Sequence, residues 1–167
     1  MNSRTQTVQS EWEKWLQENA AKFFLFARQQ TRSEQDAEDI LQEALVETWR
    51  ISKGEPSSPL VFATIRRRSI DLYRRTDSRS SYEDQFANEE ETIWFQSDLE
   101  VKERMLMVQE EIKKLPQEQQ QIVTLKIWGE LTFNEIAATL SLPQGTVASR
   151  YRLALETLRK TIPYTIP

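Results

Sequence analysis

Five arginines crowd one short stretch of this chain. In PLVFATIRRRSIDLYRR they are Arg66, Arg67, Arg68, Arg74 and Arg75. A guanidinium is always charged and presents a planar fork of N–H donors that fits phosphate oxygens and the edge of guanine. Arg67 with Arg74, and Arg68 with Arg75, lie seven residues apart, so on a helix each pair shares a face. That spacing points to nucleic-acid contact. The plainer alternative is an exposed basic helix neutralised locally by Asp71 and Asp77.

A second set carries the opposite sign. Asp36, Asp39, Glu43 and Glu47 recur every three or four residues, with Gln42 beside them, and so form an acidic ridge along one helix face. Such a ridge can steer a basic partner and fix its register, although an ordinary solvated face has the same composition. A third set is polar: Gln144, Thr146, Ser149, Arg150 and Arg152 fall mostly outside an apolar stripe of Val147, Tyr151, Ala154 and Leu158.

Other chemistry is excluded by composition. With no cysteine and no histidine, the chain has no disulfide, no thiolate or imidazole metal ligand and no histidine base. Its carboxylates lie along helix faces or in an acidic stretch instead of converging, and no glycine loop suited to phosphates is present. The expectation is a protein that is not an enzyme, with no catalytic residue, metal or cofactor.

The elements that must position these sets are helices. Only three glycines occur in 167 residues, and Glu, Gln, Arg, Leu and Ala are abundant. The expected fold is all-α: two small helical domains, residues 1–78 and 101–167, joined by an acidic linker over 79–100. In the first, Trp12, Trp15, Leu16, Phe23, Phe24 and Phe26 give an apolar opening segment. Ser33 with Asp36 starts a helix whose buried face reads Ala37, Ile40, Leu41, Ala44, Leu45 and Trp49. The run Gly54, Pro56, Ser57, Ser58 and Pro59 breaks it, and the arginine helix follows, packing through Val61, Ile65 and Leu72.

The linker holds Glu83, Asp84, Glu89, Glu90 and Glu91, with an apolar island at Ile93, Trp94 and Phe95. Its roughly 22 residues, fully extended, reach on the order of 70 Å. That spans about two turns of duplex.

In the second domain Met105, Val108, Ile112 and Leu115 form one stripe. Pro116 opens a helix with Ile122, Val123, Leu125, Ile127 and Trp128 as core and Gly129 as its stop. Thr132 and Glu135 then form a capping box, with Leu131 and Ile136 as a hydrophobic staple. Ser141, Leu142 and Pro143 end that helix, and Pro143 suits the start of the next. A short capped helix, a tight turn and a second helix with polar outward side chains form a helix-turn-helix suited to the major groove.

The formal charge of −4 conflicts with free-standing DNA binding, because phosphate contacts supply much of that affinity. A chain with its basic residues so concentrated needs a basic partner to deliver it to DNA. MNSRTQTVQS lacks the apolar core of a signal peptide, and no apolar run is long enough to span a bilayer. A cytoplasmic location without membrane contact is expected.

With both halves in view, the chain resembles the bacterial RNA polymerase sigma factors of the small, two-domain, extracytoplasmic-function group. DAEDILQEALVETWR is similar to that family's polymerase-clamp-binding helix, and PLVFATIRRRSIDLYRR to its −10 segment. LPQEQQQIVTLKIWGELTFNEIAATLSLPQGTVASRYRLALETLR is similar to its −35-reading domain. The resemblance implies that Asp36, Asp39, Gln42 and Glu43 contact the β′ clamp of core polymerase. It implies that Arg66, Arg67, Arg68, Arg74 and Arg75 hold the −10 region of promoter DNA, where a base is captured from opened duplex. Gln144, Thr146, Ser149, Arg150 and Arg152 would meet the −35 element, the second domain would dock on the β flap, and an anti-sigma protein is a partner common in the family. Leu60 stands where many members have Trp and Arg67 where many have Asn, while Ala148, Leu153 and Leu155 replace basic residues. Fewer phosphate contacts on the last helix imply weaker or differently specified −35 binding. A free-standing helix-turn-helix repressor or activator would share the C-terminal half but needs neither the acidic ridge nor the arginine helix.

Overall fold

The computed structural model describes residues 2–76 and 107–162, with the side chains of Asn2, Thr5 and Val8 left aside. The acidic linker, its Ile93–Phe95 island, Asp77, Met105 and the tail after Ile162 lie outside them. The chain divides into two compact units, Met1–Gln85 and Phe86–Pro167, and all the described elements are helical.

Three helices build the first unit: α1 (Asn2–Gln30), α2 (Glu34–Ser52) and α3 (Ser58–Thr76). The start of α2 is the one its sequence announces, with the Asp36 amide donating to Ser33 Oγ at 3.1 Å. It ends where Lys53 (φ 56°) and Gly54 (φ 87°) turn left-handed, the second of these a conformation that glycine adopts without steric cost.

Aromatic rings occupy the core of this unit. Phe62 presents T-shaped contacts to Phe23 at 5.0 Å and to Phe26 at 5.4 Å, in the edge-to-face geometry that ring quadrupoles favour. Trp12 packs edge-on against Trp49 at 4.8 Å, tying α1 to α2. The buried face of α2 is narrower than its apolar pattern suggests. Ala37, Ile40, Ala44 and Thr48 are buried, whereas Leu41, Leu45 and Trp49 are half-buried at its edges. Helix α2 packs against both α1 and α3, so its central strip lies closest to two backbones. Small side chains fit there. Phe62, Thr64 and Ser69 join Val61 and Ile65 inside α3, and Leu72 is half-buried.

Among its described residues the second unit has helical residues 107–113 (α4), then α5 (Gln117–Val123), which runs into a π-helical turn at Thr124–Trp128. Helices α6 (Phe133–Leu140) and α7 (Gln144–Thr161) complete it. Ile112, Leu115, Val123, Ala154 and Leu158 form one buried cluster, with Val108, Trp128, Tyr151 and Ile162 packed around it.

The π turn corrects two expectations. Ile127 was expected in the core and is 47% exposed instead, while Thr124 is wholly buried. The Gly129 amide donates to Thr124 O at 3.0 Å, an i to i+5 bond, so side chains beyond Leu125 fall out of the 3.6-residue register. Gly129 itself is right-handed (φ −74°), and the left-handed stop falls on Glu130 (φ 57°). Leu131 N–H closes the turn on Leu125 O at 3.1 Å.

Candidate nucleic-acid interface

The helix-turn-helix is built as its residues dictate. The Glu135 amide donates to Thr132 Oγ1 at 3.1 Å, and the Thr132 amide donates to Glu135 Oε1 at 2.9 Å, which satisfies two helix-start donors reciprocally. The turn between α6 and α7 rests on Ser141 in a left-handed conformation, with Leu142 N–H donating to Ala137 O at 3.0 Å. Pro143 occupies the cap of α7, one position before its first turn.

Helix α7 buries Val147, Ala154 and Leu158 and half-buries Tyr151, whose ring meets Phe133 edge-on at 5.5 Å. Lys126 Nζ lies 4.6 Å over the other aromatic of that pair, Phe133, and also donates to Leu131 O at 3.3 Å. The Phe133–Tyr151 contact ties α6 to α7, and Lys126 ties the π turn to the start of α6. Gln144 and Arg152 are exposed, and Thr146, Ser149 and Arg150 are half-buried. Arg150 Nη2 sits 3.7 Å from Glu118 Oε2 on α5, so part of its charge is balanced within the unit. Leu153, apolar, is 48% exposed on the outer face of α7. A Cβ added to Gly145 meets nothing within 4 Å, so this glycine is not required by packing within the unit.

In the first unit the two charged sets are not independent surfaces. Arg68 Nε donates to Glu47 Oε2 at 2.9 Å, and Arg68 Nη1 donates to Glu43 Oε2 at 2.8 Å. Arg67 Nη2 donates to the other oxygen of Glu47. The counter-ions of this part of α3 therefore come from α2 across the interface. Partial burial pushes the Glu47 carboxyl up, but hydrogen bonds from Arg68 and Arg67 and their positive charges outweigh it and hold the group below its ordinary value. A cleft of about 400 Å³ opens along this seam, with Asp36, Asp39 and Glu43 on one wall and Arg67, Arg68 and Arg75 on the other.

The remaining site residues are distributed as follows. Asp39 accepts a hydrogen bond from Gln35 Nε2 at 2.9 Å and is exposed, as is Gln42, while Asp36 is half-buried at the start of α2. Arg74 and Arg75 are exposed near the end of α3, and Arg66 is half-buried. Tyr73 and Arg32 join these residues, although spacing singles out neither. The Arg32 guanidinium stacks 4.6 Å from the centre of the Tyr73 ring, bringing a further cation to the arginine helix. Tyr73 carried a legible signal, an aromatic set among arginines; Arg32, some forty positions earlier, carried none.

Both units of the chain are similar to domains of known proteins. Residues 16–79 match Sigma-70 region 2, and residues 105–158 match Sigma-70, region 4. The chain is 30% identical over 129 residues to the ECF RNA polymerase sigma factor RpoE of Cereibacter sphaeroides, covering 74% of this chain and 71% of that protein. Among solved structures it is similar to the sigma factor RpoE of Bartonella quintana, crystallised with the anti-sigma factor NepR. The TM-score is 0.64 at 17% identity over 93% of this chain and 99% of the other, a likeness of fold. The two sigma regions in this order, together with that degree of identity, place the chain in the family of ECF RNA polymerase sigma factors.

Proposed function

We propose that the chain directs core RNA polymerase to its promoters through three helices with separate tasks. The α2 ridge, with Asp39, Gln42 and Glu43 exposed and Asp36 half-buried at its start, binds the basic β′ clamp. Helix α3 engages the −10 element with Arg66, Arg67, Arg68, Arg74 and Arg75. Helix α7 reads the −35 element with Gln144, Thr146, Ser149, Arg150 and Arg152, while the second unit docks on the β flap. Residues 1–78 and 101–167 act as the two functional domains, and the segment 79–100 joins them. The work takes place in the cytoplasm, beside the polymerase, and an anti-sigma protein is a natural regulator.

The observation that carries this reading is the first unit, where an acidic helix and an arginine helix lie side by side. A free-standing repressor has no use for that arrangement, and the match of residues 16–79 to Sigma-70 region 2 disfavours it further. Capturing an extruded base costs a few kcal/mol, which a small domain meets more readily when polymerase already holds the DNA.

Transcription in vitro with core polymerase on a promoter library tests the proposal. The wild-type chain is expected to start transcripts from a defined promoter class. Asp39→Arg combined with Glu43→Arg should lower co-purification with core polymerase, and Arg152→Ala should weaken initiation that depends on the −35 element. No promoter-specific initiation with core, or unchanged behaviour of both variants, overturns it.

A further inference from the structure

Arg67 and Arg68 are adjacent in sequence but engage Glu47 differently. Arg67 gives one terminal nitrogen to the carboxylate, and its side chain remains 56% exposed. Arg68, at 34%, commits Nε to Glu47 and Nη1 to Glu43, two of its three nitrogens. Arg68 is therefore a strut between α2 and α3. Arg67 is an anchored stem whose other donors stay accessible, since a guanidinium carries five N–H groups.

Glu47 is set apart from the rest of the acidic ridge. Both of its oxygens are bonded to α3 arginines, and its side chain is 24% exposed against 58% for Glu43. A carboxylate so engaged has little left for a second basic partner. With Glu43 also bonded to Arg68, two guanidiniums face two carboxylates and the cluster is balanced, so Arg67 offers directed N–H donors and not net charge.

We propose that Glu47 is a positioning residue for promoter reading. It fixes the orientation of the Arg67 guanidinium, so that the accessible donors of that group meet a −10 base edge already aligned. An arginine held before binding loses less rotamer freedom on contact, which improves discrimination without adding a contact. The inference rests on the assignment of α3 to the −10 element.

The test uses the full chain assembled with core polymerase and promoters carrying single substitutions across the −10 element. Glu47→Gln keeps the shape and removes the charge. It should flatten −10 preference by about tenfold, within the range of one good bidentate base contact. Core affinity should not change. Arg67→Ala should flatten the same positions, and adding Glu47→Gln to it should have no further effect. Glu47→Asp keeps the charge one methylene shorter and should retain more preference than Glu47→Gln. Unchanged −10 preference in Glu47→Gln, while Arg67→Ala loses it, overturns the positioning role. So does an Asp variant no better than Gln, and so does a loss of core affinity in Glu47→Gln, which would return the residue to the docking ridge. No effect of Arg67→Ala removes the underlying assignment of α3.

Discussion

Glu47 accepts hydrogen bonds from two arginines of a neighbouring helix, and its negative charge is what those bonds require. Desolvation opposes that charge and the guanidinium partners favour it; the partners prevail, so the folded group titrates below the ordinary value of 4.5. A carboxyl lowered on folding contributes stability that is fully present above the unfolded value and disappears as pH falls through the folded one. Thermal melts of the wild type and Glu47→Gln should therefore differ most near neutrality and converge in acid. Because Arg67 is more than half exposed and both pairs of Glu47 lie near the surface, the difference at neutrality is expected at about 1 kcal/mol or less. A gap that persists at low pH assigns the effect to packing instead of charge. Arg150 teaches the same lesson in the second unit: a residue assigned outward by helical spacing leans on Glu118, and Arg150→Ala removes that contact along with any made to DNA.

At the scale of elements, α6 and α7 carry opposite local contributions to stability. The capping box of α6 has both of its hydrogen bonds, so Thr132→Ala should cost about 1 kcal/mol in the unfolding of the C-terminal unit. Gly145 is the opposite case. It sits in the first turn of α7 in open space, and a helical glycine costs roughly 0.5–1 kcal/mol relative to alanine. Gly145→Ala should therefore raise the melting temperature of that unit, as measured by calorimetry or circular dichroism. A fall would mean that the substituted side chain strains the turn. The π turn after α5 is a further local device, because it brings Lys126 over Phe133 and turns Ile127 outward.

For the whole molecule, the charge balance decides how it reaches DNA. A formal −4 spread over 167 residues, with Glu43 and Glu47 already paired to the arginines of α3, leaves little net attraction for duplex. The free protein should bind promoter DNA weakly in a fluorescence-anisotropy titration at physiological salt, no tighter than the roughly 10⁻⁴–10⁻⁶ M of nonspecific binding. With core polymerase present, the same promoter should be bound tightly and selectively. Nanomolar, sequence-specific binding by the chain alone would contradict the division of labour between polymerase and sigma factor.

Much of this architecture is decided locally and so is legible in the residues. Ser33, the Thr132–Glu135 box and the apolar stripe of α7 act within a few positions of one helix, and they form as their spacing requires. The motif order, acidic helix, arginine helix, then helix-turn-helix, is likewise a property of the chain. What spacing does not contain is which residue meets which across an interface. Arg67 and Arg68 take Glu43 and Glu47 as counter-ions because α2 packs against α3, and no spacing along α3 announces those partners. Thr48 lies in the core and Leu41 at its edge for the same reason, since the width of a buried strip depends on how many helices press on it. Ile127 escaped prediction because a single i to i+5 bond resets the helical register, and an apolar pattern assumes that register throughout.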